Sequence, residues 1–160
     1  MICDWSPLRR ELAAWRADGL DLPIWWRDDD AITVTPALDR LERLAERLAL
    51  PVHLAVIPAH AEAALAERLR SAHVLHALVH GWAHENHEPA GRKKAEFGSP
   101  RPQAADELAD ALTRLEVIFG ADLLAVFVPP WNRLHPDHLA LLVQAGYRGL
   151  STFGPREHAH

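Results

Sequence analysis

Short apolar runs alternate with amphipathic stretches along the chain. Residues 23–26, 52–57, 74–79, 123–128 and 147–152 form the runs, and runs of this length bounded by turn residues read as buried strands. Between them apolar residues recur at helical spacing. Leu38, Leu41, Leu44, Ala45 and Leu48 make one stripe, and Leu108, Leu112, Leu115 and Phe119 another. Leu8, Leu12 and Trp15 precede the first run, residues 61–70 are strong helix formers, and Leu139, Leu142 and Val143 follow Pro136. Ser6-Pro7 and Thr35-Pro36 supply caps followed by proline at the first helical position. Gly19, Gly120 and Gly146 stop the helices they follow. Strands alternating with helices imply parallel strands with crossover helices covering the sheet. The expected architecture is α/β, a single domain over residues 1–160 with about five parallel strands. That is fewer than the roughly eight of a regular closed barrel, so the sheet is expected to be an incomplete or distorted (β/α) barrel. Its exposed edge would favour self-association.

Residues 88–102 break the pattern. Pro89, Gly91, Gly98, Pro100 and Pro102 surround Arg92-Lys93-Lys94, and the segment reads as a long, solvated polar loop.

Composition narrows the functions. A net charge of -5 argues against nucleic-acid or anionic-membrane partners, which reward a basic face. Cys3 is the one cysteine, which excludes an internal disulfide and a zinc site of several thiolates. The first ten residues lack the apolar core of a signal peptide, and no stretch approaches bilayer length. The expectation is a soluble, cytoplasmic protein.

Polar residues collect where three runs end. Asp28, Asp29 and Asp30 follow the first, His80, His84 and His87 the third, and Trp131, Asn132 and Arg133 the fourth. In a parallel sheet these lie on one edge, where such folds place their chemistry. His80 and His84 are four apart, a spacing that puts both imidazoles on one face of a helical turn. One carboxylate and two imidazoles with open positions suit a catalytic divalent ion, zinc first, cobalt or another as alternatives. Such an ion acidifies water and polarises a carbonyl, and a second carboxylate can take the proton. Asp30 best fits a plain turn or N-cap role. Trp25, Trp26, Trp82 and Trp131 border the three stretches. Whichever of Trp25 and Trp26 points inward belongs to the core, and Trp82 and Trp131 suit a pocket, since indole faces pack on sugar rings.

Arg27-Asp28-Asp29-Asp30, His80-Gly81-Trp82-Ala83-His84 and Phe127-Val128-Pro129-Pro130-Trp131-Asn132 resemble, in order and spacing, the first three motifs of the polysaccharide deacetylases, carbohydrate esterase family 4. The resemblance implies a distorted barrel and metal-dependent removal of an N- or O-acetyl group from a carbohydrate. By it Asp28 is the general base, and Asp29, His80 and His84 are the metal ligands. The Trp131 backbone N–H stabilises the oxyanion. Trp82, Asn132 and Arg133 are then substrate-binding candidates, with Arg27, Asp30 and His87 as auxiliaries. The departures are specific. The family has glycine at the place of Asp30, serine or threonine at Gly81, and a base-orienting arginine at Val128, for which Arg27 or Arg133 is the substitute at hand. Its last two motifs, one carrying the histidine general acid, have no counterpart. His158 and His160 lie in a tail that does not match, which leaves His87 and His135 as candidate acids. The chain is expected to be a C-terminally shortened relative, either an impaired enzyme or an inactive carbohydrate- or metal-binding domain.

Overall fold

The computed structural model of the chain describes residues 3–153; the tail with His158 and His160 lies outside them. Ten main elements follow in order: α1 (Ser6–Ala17), β1 (Trp26–Ala31), α2 (Pro36–Leu48), β2 (Val52–Val56), α3 (Ala63–Ser71), β3 (Leu75–His80), α4 (Ala104–Phe119), β4 (Leu123–Val128), α5 (His138–Ala145) and β5 (Gly149–Leu150). Short 3₁₀ turns at Pro58–His60 and Pro130–Asn132 follow β2 and β4. The five strands form one sheet in the order β1-β2-β3-β4-β5, and every pairing is parallel. Among the described residues the sheet does not close, and β1 and β5 each have one neighbour.

The strand sequences explain this layout. β3 sits at the centre, and its Ala77, Leu78 and Val79 have no exposed surface, as a strand covered on both faces requires. β1 is an edge strand, so it tolerates Arg27 and three aspartates. It therefore starts at Trp26, later than its apolar run suggests, and carries the acids within the strand. Trp26 packs against the core, whereas Trp25 is 52% exposed. Leu54, Val56, Val79 and Phe127 meet Leu65, Leu108 and Leu115 from the helices in the main core. Each fully buried leucine of this kind contributes about 1.5–3 kcal/mol.

α2 begins as its sequence predicts. Thr35 Oγ1 accepts a hydrogen bond from Leu38 N–H at 3.1 Å, and Pro36 occupies the first turn. The segment between β3 and α4 contains no helix or strand, but it is not wholly solvated. Ala95, Glu96 and Phe97 are buried. Phe97 lies edge-on to Phe127 with centroids 5.5 Å apart and bridges to Leu134. Its ring anchors the loop onto β4 through apolar contact, a signal masked in the sequence by the surrounding prolines, glycines and cations.

Candidate functional site

The C-terminal ends of β1, β3 and β4 place the three polar stretches on one rim. His80 closes β3 and is 1% exposed. Its Nδ1 lies 3.0 Å from the Val128 carbonyl at the end of β4, which fixes the ring and assigns the neutral proton to Nδ1. Burial pushes the His80 pKa down; the Val128 carbonyl and the charges of Asp29 and Asp30 oppose that shift without reversing it. The neutral ring therefore presents its lone pair on Nε2.

That lone pair faces a carboxylate. Asp30 Oδ1 is 3.1 Å from His80 Nε2 and 3.2 Å from His84 Nε2. One ligand atom from each of the three side chains lies within 4.8 Å of the others. Two acceptor atoms pointing at one spot repel each other unless a cation or proton sits between them. The Asp30 side chain is 61% exposed, so one side of the cluster is open to solvent. Three N/O ligands with open positions are the donor set of a catalytic divalent-ion site, and the second-shell bond from His80 to a backbone carbonyl is the usual way such a ligand is oriented. The residues fit a metal.

The aspartate that meets the imidazoles is thus Asp30, and the assignment of Asp29 is corrected. The reason is a β-bulge. Asp28 pairs with Leu54 and Ala31 with Val56, so β1 spends one more residue than β2 over this interval. Asp30 takes up the irregularity at φ +70°, a left-handed conformation that aspartate visits more readily than most residues. Strict alternation would send Asp28 and Asp30 to the same face; the bulge re-aims the chain instead. Asp30 is neither a solvated turn nor a helix cap, since Thr35 caps α2.

Asp29 is held elsewhere. Arg27 binds it through two hydrogen bonds, Nε to Oδ1 at 2.7 Å and Nη2 to Oδ2 at 3.0 Å. The same guanidinium donates to Asn132 Oδ1 at 2.8 Å and to Ser151 Oγ at 2.8 Å. Arg27 therefore ties β1 to the turn after β4 and to the segment after β5. Asp28 is exposed by surface area but crowded by neighbouring protein. Burial is the main reason its carboxyl is held above the usual range, and Asp29 and Asp30 add to the rise. All three aspartates line a cavity of about 460 Å³ that continues along α2 through Leu38 and Leu41.

Trp131 flanks the cluster. Its ring centroid lies 4.3 Å from that of His84, and Trp131 and Asn132 both adopt positive φ, +56° and +55°. Trp82 is placed differently. It lines a cleft with Asp110, Arg114, Val117 and Ile118 of α4, away from the cluster residues. His87 is exposed, and its N–H donates to Ala95 O at 2.9 Å. His135 lies 3.6 Å from Asp137 in a cleft lined by Leu139 and Phe153. Neither belongs to the cluster. Arg133 donates to the Lys94 carbonyl.

Glu96 is the residue that sequence reasoning missed. It is 1% exposed and accepts hydrogen bonds from the N–H groups of Trp82 (3.0 Å), Ala83 (2.8 Å) and Glu85 (3.4 Å). It thus holds the turn that delivers His84, itself at φ +59°. This explains Gly81. A Cβ there would stand 2.0 Å from Glu96 Oε2 and 2.5 Å from Pro130 Cγ, and Gly81 has φ +60°. Only glycine leaves room for the buried carboxyl.

No family profile and no curated protein matches the sequence. Solved structures do match the fold. The deacetylase PplD from Streptococcus pyogenes, in complex with acetate, superposes with a TM-score of 0.59 at 14% identity, over 86% of this chain and 60% of its own. IcaB from Ammonifex degensii gives 0.67 at 16% identity, over 85% and 63%. A family 4 carbohydrate esterase pseudoenzyme from Bacillus anthracis gives 0.55 at 13% identity, over 83% and 48%. The fold is that of the family 4 carbohydrate esterases. The chain spans less than two thirds of each of these three structures. Within this deacetylase fold it keeps five parallel strands, and the Asp30-His80-His84 cluster lies at the rim.

Proposed function

We propose that the chain is a metal-dependent hydrolase that removes acetyl groups from a carbohydrate. The observation that carries this reading is the convergence of Asp30, His80 and His84 at the C-terminal rim of a deacetylase fold. These three residues would hold a divalent ion, zinc in the first instance. Its contribution is Lewis acidity, which acidifies water and polarises an acetyl carbonyl.

The chain's own residues supply the rest. With Asp30 as the ligand, the family order of base followed by ligand moves the base from Asp28 to Asp29. Arg27 supports this reading, because the fold family orients its base with an arginine, and here the guanidinium that grips Asp29 comes from β1. A carboxylate gripped by a bidentate pair is held in one orientation, as a general base must be. The backbone N–H of Trp131, whose ring lies beside His84, is the donor proposed for the developing oxyanion. A second reading is an inactive metal- or sugar-binding domain, and a protein described as a family 4 pseudoenzyme shares this fold.

The test combines metal content with acetate release from an acetylated amino-sugar oligomer. His80→Ala, His84→Ala and Asp30→Asn each lower bound zinc at least tenfold, in line with the loss of one ligand of three. Asp29→Asn keeps zinc and abolishes acetate release, whereas Asp28→Asn retains it. Full zinc occupancy in all three ligand variants overturns the metal site. Activity surviving Asp29→Asn overturns the base.

A further inference from the structure

The basic triplet Arg92-Lys93-Lys94 lies beside the turn after β4. Arg133 Nη1 donates to the Lys94 carbonyl at 2.7 Å and ties the loop to the turn after β4. Between loop and turn lies a cleft of about 530 Å³, lined by Glu88, Arg92, Lys93, Asn132, Arg133 and Leu134 among others. Three of these side chains are cations and one is an anion, which leaves the lining positive in a chain whose net charge is -5. Glu88 does not compete for the opening. Its side chain is 6% exposed, and Oε2 lies 3.5 Å from Arg92 Nη1, where it steadies that guanidinium at the wall.

The cleft and the metal cluster are joined through the turn after β4. Asn132 lines the cleft, and its Oδ1 accepts from Arg27 Nη2, the same group that donates to Asp29. Trp131, next in the chain, lies against His84. The turn after β4 thus contributes a residue to each. Leu134 gives the cleft an apolar patch for a sugar face, while Arg92, Lys93 and Arg133 offer N–H donors of the kind that bind carboxylates and phosphates. The electrostatics of the rest of the chain do not favour an anion, so local recognition has to supply the attraction.

We propose that this cleft receives an anionic substituent of the substrate, a carboxylate or phosphate carried on the glycan, so that the chain acts on acidic acetylated carbohydrates in preference to neutral ones. This rests on the hydrolase reading above. It makes the basic triplet a specificity element, not a solvated linker.

The experiment compares zinc-loaded protein on a neutral N-acetylglucosamine oligomer with oligomers of matched length bearing carboxylates in one arm and phosphates in another. The ratio of kcat/KM for the acidic to the neutral oligomer is expected to be roughly tenfold or more, to fall in high salt, and to drop roughly five- to tenfold in Lys93→Gln and Arg133→Gln, as loss of a charge contact implies. Whichever acidic arm shows the larger ratio identifies the anion. A ratio of one in both arms overturns the proposal and leaves the hydrolase intact. Calorimetric titration of the same oligomers into zinc-loaded Asp29→Asn protein gives a second readout. If no oligomer releases acetate, the hydrolase reading fails, and the titration decides the cleft alone. Tighter binding of the acidic oligomer, weakened by Lys93→Gln, sustains it. Equal binding of acidic and neutral oligomers removes it.

Discussion

Glu96 accepts hydrogen bonds from the Trp82, Ala83 and Glu85 N–H groups while almost fully buried. Glu96→Ala removes the acceptor these part-buried donors share. At about 1–3 kcal/mol for an unmade hydrogen bond of this kind, the substitution is expected to destabilise the fold by about that amount, and a shift in the urea midpoint measures it. Glu96→Gln keeps one acceptor oxygen and is expected to cost less. At this scale the two histidines were legible in the sequence as a pair, but not by the route their spacing suggests: residues 81–84 form no helical turn, and His84 reaches the cluster from a left-handed conformation at φ +59°. Asp30 and Glu96 were not legible. Asp30 reaches the cluster through a bulge that interrupts the strand's alternation, and no periodicity announces a bulge. Glu96 sits in a stretch whose composition reads as loop, and its role depends on contacts with residues more than ten positions earlier.

Among the elements, α5 opens with His138, whose burial creates a pH liability. His138 is 2% exposed. Its Nδ1 lies 3.0 Å from the Phe97 carbonyl, and its Nε2 has no hydrogen-bond partner among the described residues. Burial is the first cause of its lowered pKa, and the Phe97 carbonyl partly opposes it. The folded chain therefore protonates this ring at a lower pH than the unfolded chain, whose histidine titrates at about 6.5. The resulting stability is complete above about pH 6.5 and is lost as the pH falls toward and through the folded value. Burial moves His53 and His80 the same way. Urea midpoints measured from pH 8 to pH 5 are expected to fall on the acid side, and His138→Leu to flatten part of that fall. The central strands and α2 and α4 were readable from apolar pattern and caps, since packing there obeys the simple periods. β1 and β5 were less so. They lie at the sheet edges, where burial on one side only weakens the hydrophobic signature.

Across the whole molecule, apolar surface remains uncovered. Trp5, Leu8, Leu20, Leu22, Ile24 and Trp25 are exposed along the segment leading from α1 into β1, which is itself an open edge. Patches of this kind mark contact surfaces. Concentration-dependent association is the expected behaviour, with light scattering as its measure, and a monomer at every concentration would overturn it. The sequence foretold the open sheet through its strand number. It did not foretell that the N-terminal helix would bury none of its residues, because an apolar stripe reports what a helix can cover and not what lies beneath it.

The bulge in β1 has a consequence for how such a centre could be gained or lost. Chain length between Arg27 and Ala31, more than the chemistry of any side chain there, determines which carboxyl looks toward His80. Deleting a single position would let β1 run flush with β2, keep an acidic edge and leave the core untouched, yet turn Asp30 away from the imidazoles. A form of this scaffold with the Asp30-His80-His84 cluster and a form without it can therefore differ by one codon, with none of the three residues substituted.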